Sequence, residues 1–99
     1  MNLPAEPRLL AWLRSGNRRK KVLAYLQQQT QALTPSEITK GLQLHLVKVS
    51  VSLRELKERG LIKLLNPDDK YGRLYQITNK GAQLNKKIAT TKPGTKWQP

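Results

Sequence analysis

Residues 37–62, EITKGLQLHLVKVSVSLRELKERGLI, constrain the fold of this chain more than any other stretch. Thr34-Pro35-Ser36-Glu37 just ahead is a complete helix start. It offers a hydroxyl for the N-cap, a proline whose missing N–H is harmless at the first helical position, and a glutamate placed to close a capping box. The helix it opens is expected to run to about Leu42 and to bury Ile38 and Leu42. A tight turn over 41–44 follows, then a longer helix over about 46–59. On that helix Leu46, Val49, Leu53 and Leu56 recur at spacings of three, four and three, which at 3.6 residues per turn places them on one side. That side is expected to face the core. Val47, Val51, Arg54 and Glu58 fall on the opposite side, flanked by Lys48 and Glu55, and any function of the helix is expected there. Gly60 stops it, in the left-handed conformation that glycine adopts at little cost.

The rest of the chain must supply surfaces against which these helices bury their apolar sides. Residues 1–5 are expected to be loose. Pro7 fits the first turn of a short helix whose Leu9, Leu10, Trp12 and Leu13 form an apolar cluster, closed by the breaker Ser15-Gly16-Asn17. So short a helix has to dock on something, and its own domain and a second copy of the chain are evenly weighed. Asn17 is the expected N-cap of the next helix, over 18 to about 29, with Val22, Leu23 and Leu26 as its buried stripe. Arg18, Arg19, Lys20 and Lys21 crowd its first turn, where cations oppose the helix dipole. The run is either a solvated face or the footing of an anionic partner.

Residues 32–34 are expected to pair as a very short strand. Beyond Gly60, residues 61–65 and 73–77 read as two strands around a turn-rich loop, 66–72, in which Asp68 and Asp69 are expected to bond nearby backbone. Thr78 is the expected cap of a last helix containing Leu84 and Ile88. The fold class is therefore α+β and mostly helical: a three-helix core and a β-hairpin, with an extra short N-terminal helix and a C-terminal helix. The expected division is an N-terminal extension over 1–16, a folded domain over 17–89, and a flexible basic tail over 90–99.

Charge narrows the partner. Lys and Arg number 19 against 6 Asp and Glu, a formal net charge of +13. Self-repulsion of that size calls for an anionic partner, whether nucleic acid, an anionic membrane surface or an acidic protein. There is no cysteine, and His45 is the only histidine. Thiolate and multi-histidine metal sites are thereby excluded, and neither a metal nor a cofactor is expected. His45 falls at the N-cap of the long helix, an ordinary place for a polar side chain. No nucleophile–base arrangement, phosphate-cradling glycine loop or carboxylate pair outside the Asp68-Asp69 turn is present, so an enzyme is not expected. No apolar run approaches the ~20 residues of a membrane span, and no basic segment precedes the first apolar one. A cytoplasmic protein without a membrane partner is expected.

Two helices joined by so short a turn form a helix-turn-helix, whose second helix can enter the major groove of DNA. With a further helix before, and a hairpin and helix after, the order is that of a winged helix domain. Glu37-Ile38-x-x-x-Leu42-x-Leu44 followed by Val49-Ser50-x-x-Leu53-x-x-Leu56-x-x-x-Gly60-Leu61-Ile62 resembles the winged helix-turn-helix of MarR-like and ArsR-like transcriptional regulators. Asn66-Pro67-Asp68-Asp69 resembles a MarR-like wing, and Ile77-Thr78-Asn79-Lys80-Gly81 resembles the strand-to-helix junction after it. Arg18-x-x-x-Val22-Leu23-x-x-Leu26 is similar to the first helix of the same domains. The likeness spans about 17–84 and rests on joint order and spacing.

The resemblance implies a sequence-selective regulator on double-stranded DNA, with the helix over 46–59 in the major groove and the loop 66–72 on the backbone or minor groove. Lys48, Ser50 and Arg54 would then supply phosphate or base contacts, Arg54 being suited to guanine, while Val47 and Val51 pack on thymine methyls. Arg18, Arg19, Lys20, Lys21, Lys70, Tyr71, Arg73 and Lys80 would hold the backbone. Three departures stand out. Gln43 replaces the small residue common in the turn, Asp69-Lys70-Tyr71 stands where such wings carry Asp followed by arginines, and the outward stripe opens on Val47 and Val51.

A homodimer on a pseudo-palindromic site is expected, through Leu9, Leu10, Trp12 and Leu13, through Leu84 and Ile88, or through both. Nucleoid association would follow. Two alternatives use the same surfaces: a protein-interaction module of a transcription or replication complex, and an RNA binder, the latter short of exposed aromatics for stacking.

Overall fold

The core of this domain is assembled around one helix that every other helix touches. The computed structural model describes residues 5–90, in the order α1 (Ala5–Ser15), α2 (Asn17–Gln28), α3 (Pro35–Leu42), α4 (Leu46–Glu58), β1 (Ile62–Leu64), β2 (Tyr75–Ile77) and α5 (Asn79–Thr90). Of the expected tail over 90–99, Thr90 closes α5 and residues 91–99 lie outside the described residues, as do residues 1–4; Ala5, expected to be loose, opens α1.

Helix α2 lies against α1, α3, α4 and α5, and its Val22, Leu23 and Leu26 are buried as the apolar spacing requires. Around them close Leu13 from α1, Ile38 from α3, Val49, Leu53 and Leu56 from α4, Leu61 and Ile62 at the hairpin, and Leu84 from α5. Each aliphatic side chain buried this way contributes about 1.5–3 kcal/mol of transfer free energy. The short first helix therefore docks on its own domain. Leu13 and Leu84 are used up in the core and are not open to a second copy, which corrects the expectation for both. Leu9, Leu10, Trp12 and Ile88 pack only partly against the core edge.

Helix α3 begins as its sequence demands. Glu37 N–H donates to Thr34 Oγ1 at 3.2 Å, and Thr34 N–H donates to Glu37 Oε1 at 2.8 Å, with Pro35 at the start. Gln43 carries the turn in the left-handed region, with φ 56° and ψ 44°. A glycine would adopt that conformation more cheaply, by about 1 kcal/mol. The N-cap of α2 is Gly16 rather than Asn17, with no side-chain cap. The breaker shrinks to that one residue because α1 continues through Ser15, whose hydroxyl donates to Trp12 O at 2.9 Å.

On α4 the buried face is Val49, Ser52, Leu53 and Leu56. Leu46, expected inside, is 50% exposed; it is the first residue of the helix, ahead of the turn that reaches the core. The helix ends in a Schellman motif. Leu61 N–H donates to Leu56 O and Gly60 N–H to Lys57 O, each at 3.0 Å. Gly60 sits at φ 76°, and buried Leu56 and Leu61 provide the apolar contact that accompanies the motif.

The hairpin pairs Ile62 with Ile77, Lys63 with Gln76 and Leu64 with Tyr75, antiparallel. The short strand expected over 32–34 is a single bridge between Leu33 and Tyr75. The strands are shorter than the expected 61–65 and 73–77 because Asn66 takes over the neck of the loop. Its Oδ1 accepts from Leu74 N–H at 2.7 Å, and its Nδ2 donates to Gly72 O at 3.0 Å and to Asp69 Oδ2 at 2.9 Å. The backbone-bonding role expected of Asp68 and Asp69 thus belongs mainly to Asn66. Thr78 caps α5, its Oγ1 accepting from Gly81 N–H at 3.1 Å while donating to Gly60 O at 2.8 Å.

Candidate nucleic-acid interface

Burying Val49, Ser52, Leu53 and Leu56 leaves α4 one possible outward front. Val47 is 70% exposed and Val51 40%, and Lys48, Ser50, Arg54 and Glu58 are exposed beside them. The first turn of α4 carries no acid. His45 occupies the N-cap position without a side-chain cap bond.

The start of α2 adjoins this front. Ser15, Gly16, Asn17, Arg18 and Arg19 line one wall of an open groove, and Val51, Ser52 and Glu55 line the other. Arg18 and Lys21 are exposed and Lys20 half-buried, so part of the basic run stands next to the outward side of α4. At the wing, Lys70 and Tyr71 are exposed. Arg73 is half-buried in the hairpin stem, with its Nε buried and lacking a hydrogen-bond partner. That leaves Lys70 as the cation at the loop tip.

Arg19 does something the sequence did not suggest. Its guanidinium turns back to donate to Trp12 O, through Nε at 3.1 Å and also through Nη2, and Nη2 donates to Ser15 Oγ at 3.1 Å. Trp12 O is among the last four carbonyls of α1, which have no partner within their own helix and carry the negative end of its dipole. The same guanidinium lies 4.0 Å from the centroid of the Trp12 ring, and that of Arg59 lies 3.9 Å from it. Arg19 also pairs with Glu55 at 3.7 Å, a half-exposed contact that contributes little by itself. Arg19 thus ties α1, α2 and α4 together.

Trp12, Glu55 and Arg59 were missed as a group, and no local pattern marks them, since Trp12 belongs to α1 whereas Glu55 and Arg59 belong to α4 and its C-cap. Lys80, also expected on the backbone, lines a shallow cleft with Arg8, Leu9, Trp12 and Arg59 at the C-terminal end of α4. It is grouped there with α1, not with Val47. Among the described residues no three of His, Cys, Asp or Glu come together as a metal site.

No protein-family model and no curated protein sequence matches the chain. Solved structures do. MarR from E. coli, in its apo form, superposes with a TM-score of 0.68 at 28% identity, over 88% of this chain and 67% of that one. MepR of S. aureus in complex with DNA gives 0.66 at 26% identity, over 89% of this chain and 77% of that one. The chain has a winged helix-turn-helix fold similar to that of MarR and MepR. A MepR variant from a multidrug-resistant S. aureus clinical isolate gives 0.64 at 29% identity, over 75% of this chain. The chain spans only 55% of that structure's length.

Proposed function

We propose that this MarR-like domain is a sequence-selective, double-stranded DNA-binding transcriptional regulator, with α4 in the major groove and the loop 66–72 on the backbone or minor groove. The observation that carries the reading is the uncovered front of α4, bordered by Lys48 and Arg54 and joined across an open groove to Arg18. The DNA complex of MepR, a structural neighbour at 26% identity, supports it. On this reading Arg54 takes a guanine edge, Lys48 and Ser50 take phosphate or base, and Arg18, Lys20, Lys21, Lys70 and Tyr71 hold the backbone. Arg19 has no such role, and Lys70 stands in for Arg73 at the wing.

The folded unit is proposed to include α1, whose Leu13 is in the core. Pairing into a homodimer would use the half-covered Leu9, Leu10, Trp12 and Ile88. We also read the chain as a binding module without catalysis, acting on DNA in the cytoplasm; among the described residues no helix is long and apolar enough to cross a membrane.

A mobility-shift comparison of one duplex, its single strands and an RNA hairpin tests the class of ligand. Duplex DNA binds tightest on this account, and preference for RNA or single strands overturns it. The exposure of Val47 and Val51 also favours a second reading, a protein-interaction module. Val47→Lys combined with Val51→Lys separates the two, since retained DNA binding with a lost protein partner would favour the module.

A further inference from the structure

Resting on the duplex-binding reading above, we propose that the chain selects its site chiefly by thymine C5-methyl groups, met by an apolar ridge at the front of α4. Base edges in the major groove present hydrogen-bond donors and acceptors, so a reading helix needs polar side chains for most of its discrimination. Here the first two turns instead offer Leu46, Val47 and Val51, which are 50%, 70% and 40% exposed. Scattered exposed aliphatic residues are common and need no explanation. These three are neighbours on one helix, and the outward residues among them, Lys48, Ser50 and Arg54, are all polar. The thymine methyl is the one base-edge feature in that groove that rewards contact with an aliphatic side chain.

Charge complementarity decides the occupant. The ridge is bordered by Lys48, Arg54 and, across the groove, Arg18, in a chain of net charge +13. The acid nearest to it in that groove, Glu55, is paired with Arg19. Glu58, exposed at the far end of the same stripe, marks where close approach to the anionic groove ends.

Spacing makes the proposal specific. Val47 and Val51 are one turn apart, so their Cβ atoms are about 5–6 Å from each other, against a rise of about 3.4 Å per base pair. They reach methyls on base pairs one or two steps apart. Arg54, nearly a turn further on, reaches the next one or two pairs, where its fork fits guanine O6 and N7. The preferred site therefore holds two thymine methyls within about three base pairs, with a guanine just beyond them.

The test uses the full chain to select duplexes from a random DNA pool. In the tightest-binding duplex each thymidine is then replaced singly by deoxyuridine, which deletes one methyl and leaves every hydrogen-bonding group in place. Burying one methyl is worth about fourfold in affinity. Two positions are expected to lose about threefold to fivefold each by fluorescence anisotropy. Val47→Ser abolishes the penalty at one of them and Val51→Ser at the other. Both residues are exposed, so circular dichroism of the variants stays that of the parent, and the deoxyuridine series needs no protein variant at all. Equal binding of every deoxyuridine duplex, or selection of sites lacking closely spaced thymines, overturns the proposal while duplex binding stands. Enrichment of no duplex overturns both.

Discussion

Replacing Trp12 with leucine removes the face on which two guanidinium groups rest while keeping an aliphatic side chain against the core edge. Arg19 and Arg59 lie 4.0 and 3.9 Å from the ring centroid. Cation–π contacts of this kind contribute ~0.5–1 kcal/mol when exposed and about 2 when desolvated. The Arg19 side chain is only 18% exposed, so its contact belongs toward the upper end of that range and the pair together contributes about 1.5–3 kcal/mol. The hydrogen bonds from Arg19 to the Trp12 carbonyl survive, because the acceptor is backbone. In a domain of this size each kcal/mol corresponds to about 4–8 °C in Tm, so Trp12→Leu should melt about 10 °C lower. Urea unfolding followed by circular dichroism gives the free energy. A double-mutant cycle with Arg59→Met then isolates one stack, with an expected coupling of about 0.5–1 kcal/mol. A midpoint unchanged from the parent, or a coupling indistinguishable from zero, would refute the idea that the stack fastens α1 to α2 and α4.

Four further outcomes follow from single residues. A Cβ at Gly81 would collide with the Leu61 carbonyl oxygen. Because the obstacle is backbone, Gly81→Ala should destabilise by about 1–3 kcal/mol in thermal unfolding. Gln43→Gly should stabilise by up to about 1 kcal/mol, since it relieves a left-handed residue at φ 56°; a lower Tm would show that the Gln43 side chain matters more than its backbone. Arg54→Ala should weaken binding to the selected duplex by about tenfold to a hundredfold and relax the preference at one base pair, whereas Lys70→Ala should weaken all duplexes alike.

Periodicity and caps explain which parts of this architecture could be read from the chain. The capping box at Thr34 and Glu37, the stop at Gly60 and the stripe Val22, Leu23 and Leu26 depend on neighbours within one or two turns, so local sequence determines them. Leu46 was misread because periodicity assigns a side chain to a face but does not say whether another element covers that face at the helix end. The contacts of Arg19 were hidden for a related reason. Its charge and position in the first turn of α2 suggested solvent or an anion, and what decided otherwise was the end of α1, brought alongside only by the fold. Asn66 shows the same limit, since two aspartates in a turn look like the natural bonders until the geometry of the neck favours the amide. The outward front of α4, by contrast, was legible from helical spacing alone, and Val47, Val51 and Arg54 are exposed where that spacing put them.

If a cationic surface around α4 holds duplex DNA, the affinity for duplex must fall steeply as salt is raised. With Arg18, Lys20, Lys21, Lys48 and Lys70 on phosphates, log K plotted against log salt should fall with a slope of about −4 to −5, and Lys70→Ala should reduce its magnitude by about 1. A flat response, or no duplex binding at low salt, would contradict the account.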